Sequence, residues 1–208
     1  MTRHLGPLIT LTCVLIISGC ASSSRLDLPQ TSDASEILWQ GHHSNMLAIK
    51  QWQLSGKIGY RTPEQASSAS LNWLQQGEEF NINLSGPLGQ GGAKLSGNKD
   101  HIQLQVAGQG EFTSSDPEQL LEQKTGWTLP LSSLLHWIRG VPAPQLKAQY
   151  KLDEQGRISH LTQHHWQIDY LSYHRLSSNW LPKKIKLHYG QTTLTLIIKQ
   201  WDTSVTAS

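Results

Sequence analysis

Nine segments of the chain alternate apolar with polar residues, the pattern of a β-strand with one buried and one solvated face. In the first segment, Trp52, Leu54, Ile58 and Tyr60 alternate with polar residues between positions 51 and 61. The other eight segments lie at 69–73, 80–84, 102–106, 146–152, 158–160, 166–170, 185–189 and 194–198. Because turn-forming residues separate most of them, the pattern predicts an antiparallel meander of nine to eleven strands.

Three short helices are predicted, at about 34–49, 117–126 and 131–139. The second is the best defined, because Asp116 and Pro117 are typical of a helix start and Gly126 of a helix end. The helices carry few apolar residues for so many strands. We therefore predict a large curved sheet, with the helices plugging a concave apolar space.

The N-terminus has the features of an export signal. The apolar run at 8–17 is too short to span a bilayer, which takes about 20 residues, and small residues follow it. The segment Ile17-Ser18-Gly19-Cys20 resembles a bacterial lipobox, which implies cleavage before Cys20 and acylation of that residue. A plain signal peptide or a core helix is the alternative. By resemblance to lipoprotein sorting rules, Ala21 favours the outer membrane over the inner one.

These features predict three regions: a lipoprotein signal peptide at 1–19, a lipidated N-terminus with a polar linker at 20–35, and a single domain at 36–208. Three acyl chains exceed the two membrane-binding signals needed for stable anchoring. The expected location is the periplasmic face of the outer membrane, with the lipid anchor at Cys20.

Composition argues against three classes of protein. The 208 residues carry a formal net charge of +2, which argues against a nucleic-acid partner held by a broad basic surface. Two cysteines cannot form a disulfide-rich scaffold. Eight tryptophans argue against intrinsic disorder of the whole chain.

Motifs for catalysis or metal binding are not evident. The segment 89–94 resembles a phosphate-binding loop only superficially, since Leu95 follows Lys94 where Ser or Thr is required. Adjacent side chains diverge, so His42-His43 and His164-His165 cannot easily share a metal, and both pairs are interpreted as surface histidines. We expect no enzyme activity, cofactor or metal. Composition alone leaves a serine hydrolase open.

The segment Gly86-Pro87-Leu88-Gly89 follows a predicted strand, and Leu88 is the only apolar residue with reach in this turn. Leu88 either folds back onto the core or protrudes into a membrane or a partner. Full burial of a leucine contributes about 1.5–3 kcal/mol, enough to bias the orientation of a tethered protein.

Several motifs together resemble the LolB family of outer-membrane lipoproteins. They are the lipobox, Trp39-x-x-His42, Leu71-Asn72-Trp73, Gly86-Pro87-Leu88-Gly89 and Gly126-x-x-Leu129-Pro130-Leu131-x-x-Leu134-x-x-Trp137-Ile138-x-Gly140-x-Pro142. The resemblance covers nearly the whole chain, and 126–142 is its most specific part. It implies a mainly β fold, an open antiparallel β-barrel of about eleven strands with a helical lid around a hydrophobic cavity.

The resemblance also implies a function. The protein would be a monomer that accepts acylated lipoprotein cargo from the periplasmic carrier LolA and inserts it into the inner leaflet of the outer membrane, without nucleotide. Pro87, Leu88 and Gly89 would form its membrane-insertion loop, so that Leu88 and the Cys20 acyl chains both contact lipid. Acyl chains in water are unfavourable by about 0.8 kcal/mol per methylene, so such cargo needs an apolar cavity at every step.

Seven buried-face residues are candidates for lining that cavity, although ordinary core packing is the alternative for the tryptophans. They are Trp52, Leu54, Trp73, Leu134, Trp137, Ile138 and Trp166. Five basic residues either meet an acidic carrier or lie on a solvated strand face; they are Lys57, Arg61, Lys183, Lys184 and Lys186. A lipid-binding lipoprotein for another acyl ligand and a structural outer-membrane lipoprotein remain as alternative functions.

Overall fold

The computed structural model describes residues 33–87 and 91–205. In that part of the chain the helices are α1 (Asp33–Ala48), α2 (Pro117–Thr125) and α3 (Leu131–Trp137). The strands are β1 (Gln51–Arg61), β2 (Ala66–Gln76), β3 (Glu79–Ser85), β4 (Gly92–Gly97), β5 (Ile102–Val106), β6 (Gly110–Ser114), β7 (Ala148–Leu152), β8 (Ile158–Gln163), β9 (Trp166–Leu176), β10 (Asn179–Tyr189) and β11 (Thr192–Asp202).

All the strands belong to one antiparallel sheet in the order β6-β5-β4-β3-β2-β1-β11-β10-β9-β8-β7. From β1 at the centre, the chain runs outward hairpin by hairpin to β6 at one edge. Helices α2 and α3 then lead to β7 at the other edge, and the chain returns inward until β11 pairs with β1. This open, mainly β sheet of eleven strands with three helices confirms the predicted fold class.

The strand register joins apolar side chains into rows that cross the inner face of the sheet. One row runs through Phe112, Leu104, Leu95, Ile82, Trp73, Leu54 and Trp201, one residue from each of seven neighbouring strands. Since alternate residues of a strand point to opposite faces, the same register places polar residues on the outer face. A slip of one residue would expose the whole row, so burial of this row fixes the pairing.

The alternating pattern located nine of these strands but did not separate out β4 and β6. β4 places only Ala93 and Leu95 on the inner face, and β6 contributes one large apolar residue, Phe112. With so few large apolar residues, neither strand shows a clear period of two. The sequence also started β7 at Leu146, two residues early, because Leu146 is apolar.

Local capping explains α2. The Asp116 carboxylate accepts a hydrogen bond from the Gln119 backbone N–H at 3.0 Å, and Pro117 occupies the first turn. Gly126 ends the helix in the left-handed region with φ 72°, where its N–H donates to the Glu122 carbonyl. Both ends agree with the sequence prediction. None of the helices in the described residues is both long and apolar enough to span a membrane.

Candidate functional site: an apolar interior beneath two helices

Helices α2 and α3 and the segment between them cover the inner face of the sheet with leucines. Leu120, Leu121, Leu129, Leu131 and Leu134 are all buried there. Four of these leucines, all but Leu120, face apolar strand residues across a small cavity, whose other lining residues are Ile58, Leu71, Trp73, Ile82, Leu84, Ala93, Leu95, Leu104 and Leu196. The site is therefore an apolar interior whose walls are a sheet on one side and two short helices on the other.

The cavity is almost closed. Its volume is about 20 Å³, close to the minimum that holds one water molecule, and its lining residues are all apolar. Sites for small ligands typically enclose about 300–1,000 Å³. The interior can thus accept an apolar chain only if its walls move apart.

A few contacts at their ends hold the two helices in place. The Tyr60 hydroxyl on β1 donates to the Gly126 carbonyl at 3.2 Å, and the Tyr60 ring stacks on Trp127 with centroids 5.1 Å apart. The Glu118 carboxylate on α2 accepts hydrogen bonds from the Ser132 backbone N–H and hydroxyl on α3, at 3.2 and 2.8 Å. The first contact joins the helical segment to the sheet, and the second makes the two helices one unit.

The far end of α3 is fixed by Gln163, a buried amide on β8. Its Oε1 accepts from the Trp137 indole N–H at 2.7 Å and from the Ala143 N–H at 2.8 Å. Its Nε2 donates to the carbonyls of Ala143 and Leu146 at 2.8 and 2.9 Å. All four hydrogen-bonding positions of the amide are used, so this side chain holds the chain between α3 and β7 against the sheet.

A second buried polar residue, Arg139, connects α3 with α1. Its guanidinium Nη1 donates to the carbonyls of Met46 and Ile49 at the C-terminal end of α1, at 3.1 and 2.9 Å, and Nε donates to Leu135. A cation there also interacts favourably with the helix dipole. Burial lowers the pKa of Arg139 from its usual range.

The seven candidate cavity residues are all buried in one hydrophobic core, but they do not all line the small cavity. Trp73 and Leu134 line the small cavity. Trp52 and Leu54 lie beside Trp201 of β11. Trp137, the last residue of α3, packs near Trp166 of β9, and Ile138 follows it as the C-cap residue of the helix. Ring centroids lie 5.2 Å apart for Trp52 and Trp73, 5.3 Å for Trp52 and Trp201, and 6.1 Å for Trp137 and Trp166.

One of the histidines, His42, is not the surface residue that the sequence indicated. His42 on α1 is buried, and its Nε2 has no hydrogen-bond partner in the structure. Burial, reinforced by Arg157, lowers the pKa of His42 to about 4, and burial also lowers the pKa of His136 to about 4. His42 packs against Trp39 instead, with ring centroids 6.1 Å apart.

The other predicted features lie at the edges of the described chain or outside it. Cys20, Leu88 and Gly89 are outside the described residues. Pro87 is exposed at the start of the turn, and the Gly86 N–H donates to the Gly91 carbonyl at 3.3 Å across it. Within residues 33–87 and 91–205, no three His, Cys, Asp or Glu side chains are grouped as a metal site would require.

Sequence reasoning missed the residues that position the helices. Arg139 ends a predicted helix and Gln163 follows a predicted strand, and no local pattern distinguishes a buried polar side chain at such a position from an exposed one. Tyr60 and Trp127 are 67 positions apart, so only the fold brings them together. The leucine spacing at 131 and 134 did carry a signal, since residues three apart share one helix face.

Comparison with known proteins first defines the class. The fold resembles a LolA superfamily protein from Nitrosomonas europaea, with a TM-score of 0.57 at 8% identity over 84% of this chain and 95% of that one. It also resembles a putative outer membrane lipoprotein-sorting protein domain from Vibrio parahaemolyticus, with a TM-score of 0.53 at 6% identity over 83% and 93% of the two chains. At these identities the likeness shows the fold alone: a curved antiparallel sheet with helices on its inner face.

Sequence comparison then gives the family. Residues 50–201 match the family described as Outer membrane lipoprotein LolB. Outer-membrane lipoprotein LolB of Pseudomonas putida is 40% identical over 93% of this chain and 94% of its own, and that of Pseudomonas paraeruginosa is 42% identical over 91% and 92%. The chain belongs to the LolB family and is an outer-membrane lipoprotein of the Lol pathway.

Proposed function

We propose that this protein receives acylated lipoproteins from a LolA-like periplasmic carrier in its apolar interior and inserts them into the inner leaflet of the outer membrane. The observation that carries the proposal is the all-apolar interior between the sheet and the pair α2–α3. An interior lined by apolar side chains suits acyl chains, because its lining offers no polar group to bind a polar ligand.

Accepting an acyl chain requires the interior to open. From about 20 Å³ the cavity must grow more than tenfold to reach the size of an ordinary ligand site. The α2 end of the pair is the part that moves, since only the Tyr60 hydrogen bond and the ring stack with Trp127 join it to β1, whereas Gln163 and Arg139 hold the far end of α3. The helices thus act as a lid whose closed state fills the cavity with leucine side chains.

Transfer needs no covalent step. Cargo moves from carrier to receptor to bilayer because each site binds the acyl chains more favourably than the one before, and a receptor drives transfer only through this difference in affinity. We therefore infer a binding protein rather than an enzyme, acting as a monomer without nucleotide. Acyl chains on Cys20 would hold it at the membrane, and Leu88 in the loop Pro87-Leu88-Gly89 would enter the bilayer during release.

The test follows a radiolabelled, triacylated lipoprotein from its purified carrier to a soluble form of this protein with Cys20→Ala, and then into liposomes. We expect the parent to accept the lipoprotein and to deposit it. Leu88→Glu should accept it but deposit at least tenfold less, because a carboxylate cannot enter the hydrocarbon. Ile37→Glu, at an exposed position on α1, is the matched control and should behave as the parent does.

Failure of the parent to take the lipoprotein would refute the receptor function. If the parent then bound a free fatty acid or a glycolipid, the apolar interior would serve a different acyl ligand. If Leu88→Glu deposited cargo as the parent does, the loop assignment alone would be wrong.

A further inference from the structure

The outer face of the sheet carries a row in which two lysines flank an isoleucine. Lys57 on β1 pairs with Ile197 on β11, and Ile197 pairs with Lys184 on β10. All three side chains are exposed, and Ile197 keeps 39% of its surface accessible. Neighbouring strands lie about 4.8 Å apart, so the Cα atoms of the two lysines are about 10 Å apart, with an exposed aliphatic residue between them.

The neighbouring rows extend the positive charge. Two residues along, Gly59 and Thr195 lie beside Lys186, and the next row places Arg61 beside Thr193. We call Lys57, Arg61, Lys184, Lys186 and Ile197 the basic face. Leu171, with 51% of its surface accessible, lies in the irregular register of β9 next to Lys184 and adds a second exposed aliphatic residue.

Acidic residues are scarce around the basic face. On the adjacent strand β9, Asp169 pairs with Lys186 in the register, but its carboxylate is engaged by His160 Nδ1 at 2.7 Å. Glu64 lies in the exposed turn after Arg61. By contrast, the outer face of β3 and β5 carries neutral amides; these are Asn81, Asn83, Gln103 and Gln105. The positive side chains of the basic face thus lie on β1 and β10, on either side of Ile197 on β11, although the chain is almost neutral overall.

We propose that the basic face docks on the anionic phospholipid headgroups of the membrane to which the protein is anchored. The inference rests on the proposed membrane role, because a lipid anchor keeps the domain beside a bilayer. Lysines that extend their charge while their stems cover aliphatic surface are typical of interfacial binding. Amines attract anionic lipid phosphates within about one Debye length.

The position of the face in the fold supports this occupant. The register continues the Lys57 row outward through Ser70 on β2 to Ser85, the last residue of β3. The turn that contains the proposed insertion loop begins immediately after Ser85. A domain resting on its basic face would therefore hold that turn at the level of the headgroups. An acidic protein surface would also complement the lysines and cover Ile197 and Leu171, but it would give no reason for the basic face to lie level with that turn.

The test uses the mature acylated protein reconstituted in lipid nanodiscs, either of phosphatidylcholine alone or with phosphatidylglycerol. Lysine acetylation by a water-soluble reagent is followed by mass spectrometry. With phosphatidylglycerol, we expect Lys57, Lys184 and Lys186 to react at least about fivefold more slowly than in phosphatidylcholine alone, with the protection lost at high salt. The exposed Lys147 and Lys151 are internal controls and should react at the same rate in both discs.

A double variant tests whether the face acts as a unit. In K57Q with K184Q, protection of Lys186 should disappear, because each lysine contributes about fivefold to docking. K147Q with K151Q removes the same charge elsewhere and should leave Lys186 protected. Circular dichroism of both variants checks that these exposed substitutions preserve the fold.

Equal acetylation rates in the two discs would overturn the proposal. The proposal would also be overturned if an acidic carrier slowed acetylation of these lysines while phosphatidylglycerol did not, since the face would then bind protein. Lipoprotein transfer is measured separately on the same samples. Loss of transfer with retained protection would refute the receptor function and leave the membrane-docking face standing.

Discussion

At the scale of single residues, burial of His42 couples this protein's stability to pH. His42 lies on α1 against Trp39, and its Nε2 is buried without a partner. Gaining a proton there would place a charge beside Arg157 in an apolar setting. The pKa of about 4 reflects that burial first, with the Arg157 charge second, His43 adding a smaller effect and Asp153 partly opposing them.

The direction of the pH dependence follows from that pKa. An unfolded histidine has a pKa of about 6.5, so between pH 6.5 and 4 the unfolded chain binds more protons than the folded one. The contribution of His42 to stability is complete above pH 6.5 and is lost as the pH falls toward 4. We expect the urea-unfolding free energy to decrease across that window, and to decrease less in His42→Leu.

The control for this prediction is His101→Leu, at an exposed histidine between β4 and β5. Its unfolding free energy should follow the parent's pH dependence. If the unfolding free energies of the parent and of His42→Leu changed equally with pH, burial of His42 would not be the cause of the pH dependence. His136, whose pKa is also lowered to about 4, acts in the same direction and accounts for part of the remaining slope.

At the scale of elements, the sequence predicts best those helices and strands whose cause lies in neighbouring residues of the chain. The start and end of α2 were predicted because Asp116, Pro117 and Gly126 act on their own neighbours. Long strands were found because a period of two persists over many residues. β4 and β6 were missed because they are held by their neighbours in the sheet, and the sequence records little of that.

The link between α1 and α3 gives a prediction at the same scale. Replacing Arg139 by Met keeps much of the side-chain length but leaves the carbonyls of Met46 and Ile49 without their donor. Because a buried group that loses its partner costs about 1–3 kcal/mol, we expect destabilisation of about 2–4 kcal/mol. Amide hydrogen exchange should accelerate in the last turn of α1, where the helix end loses its cap.

Arg175→Met supplies the matched control, because Arg175 is exposed on β9. It should change the unfolding free energy by no more than about 0.5 kcal/mol. If Arg139→Met were equally mild and hydrogen exchange in α1 stayed unchanged, water would be replacing the guanidinium and Arg139 would not hold the helix.

At the scale of the whole molecule, the sequence predicted a concave apolar space and the structure shows that space filled. Alternation identifies which residues point inward, but Trp52 and Trp73 have the same pattern although only Trp73 lines the cavity. That distinction depends on where α2 and α3 lie, which is set by contacts such as Tyr60 with Trp127 and by Gln163. The test of the closed interior is therefore whether acyl binding requires the helices to move.

Preventing that movement should abolish acyl binding. Tyr60→Cys with Trp127→Cys, joined by a short bis-maleimide, would fasten the segment between α2 and α3 to β1 where the two rings now stack at 5.1 Å. Because the closed cavity holds only about 20 Å³, the cross-linked protein should bind at least tenfold less fatty-acyl probe than the same variant before cross-linking. Binding is measured by fluorescence titration.

A second pair controls for the cross-linking chemistry. Gln103→Cys with Glu111→Cys joins β5 to β6 on the outer face, where the native side chains already share a hydrogen bond of 2.6 Å. This bridge leaves α2 and α3 free, so probe binding should persist. Equal binding before and after bridging positions 60 and 127 would mean that acyl chains bind without displacing the helices. In that case the bound chain would lie outside the interior, and the basis of the receptor mechanism would have to be sought on another surface.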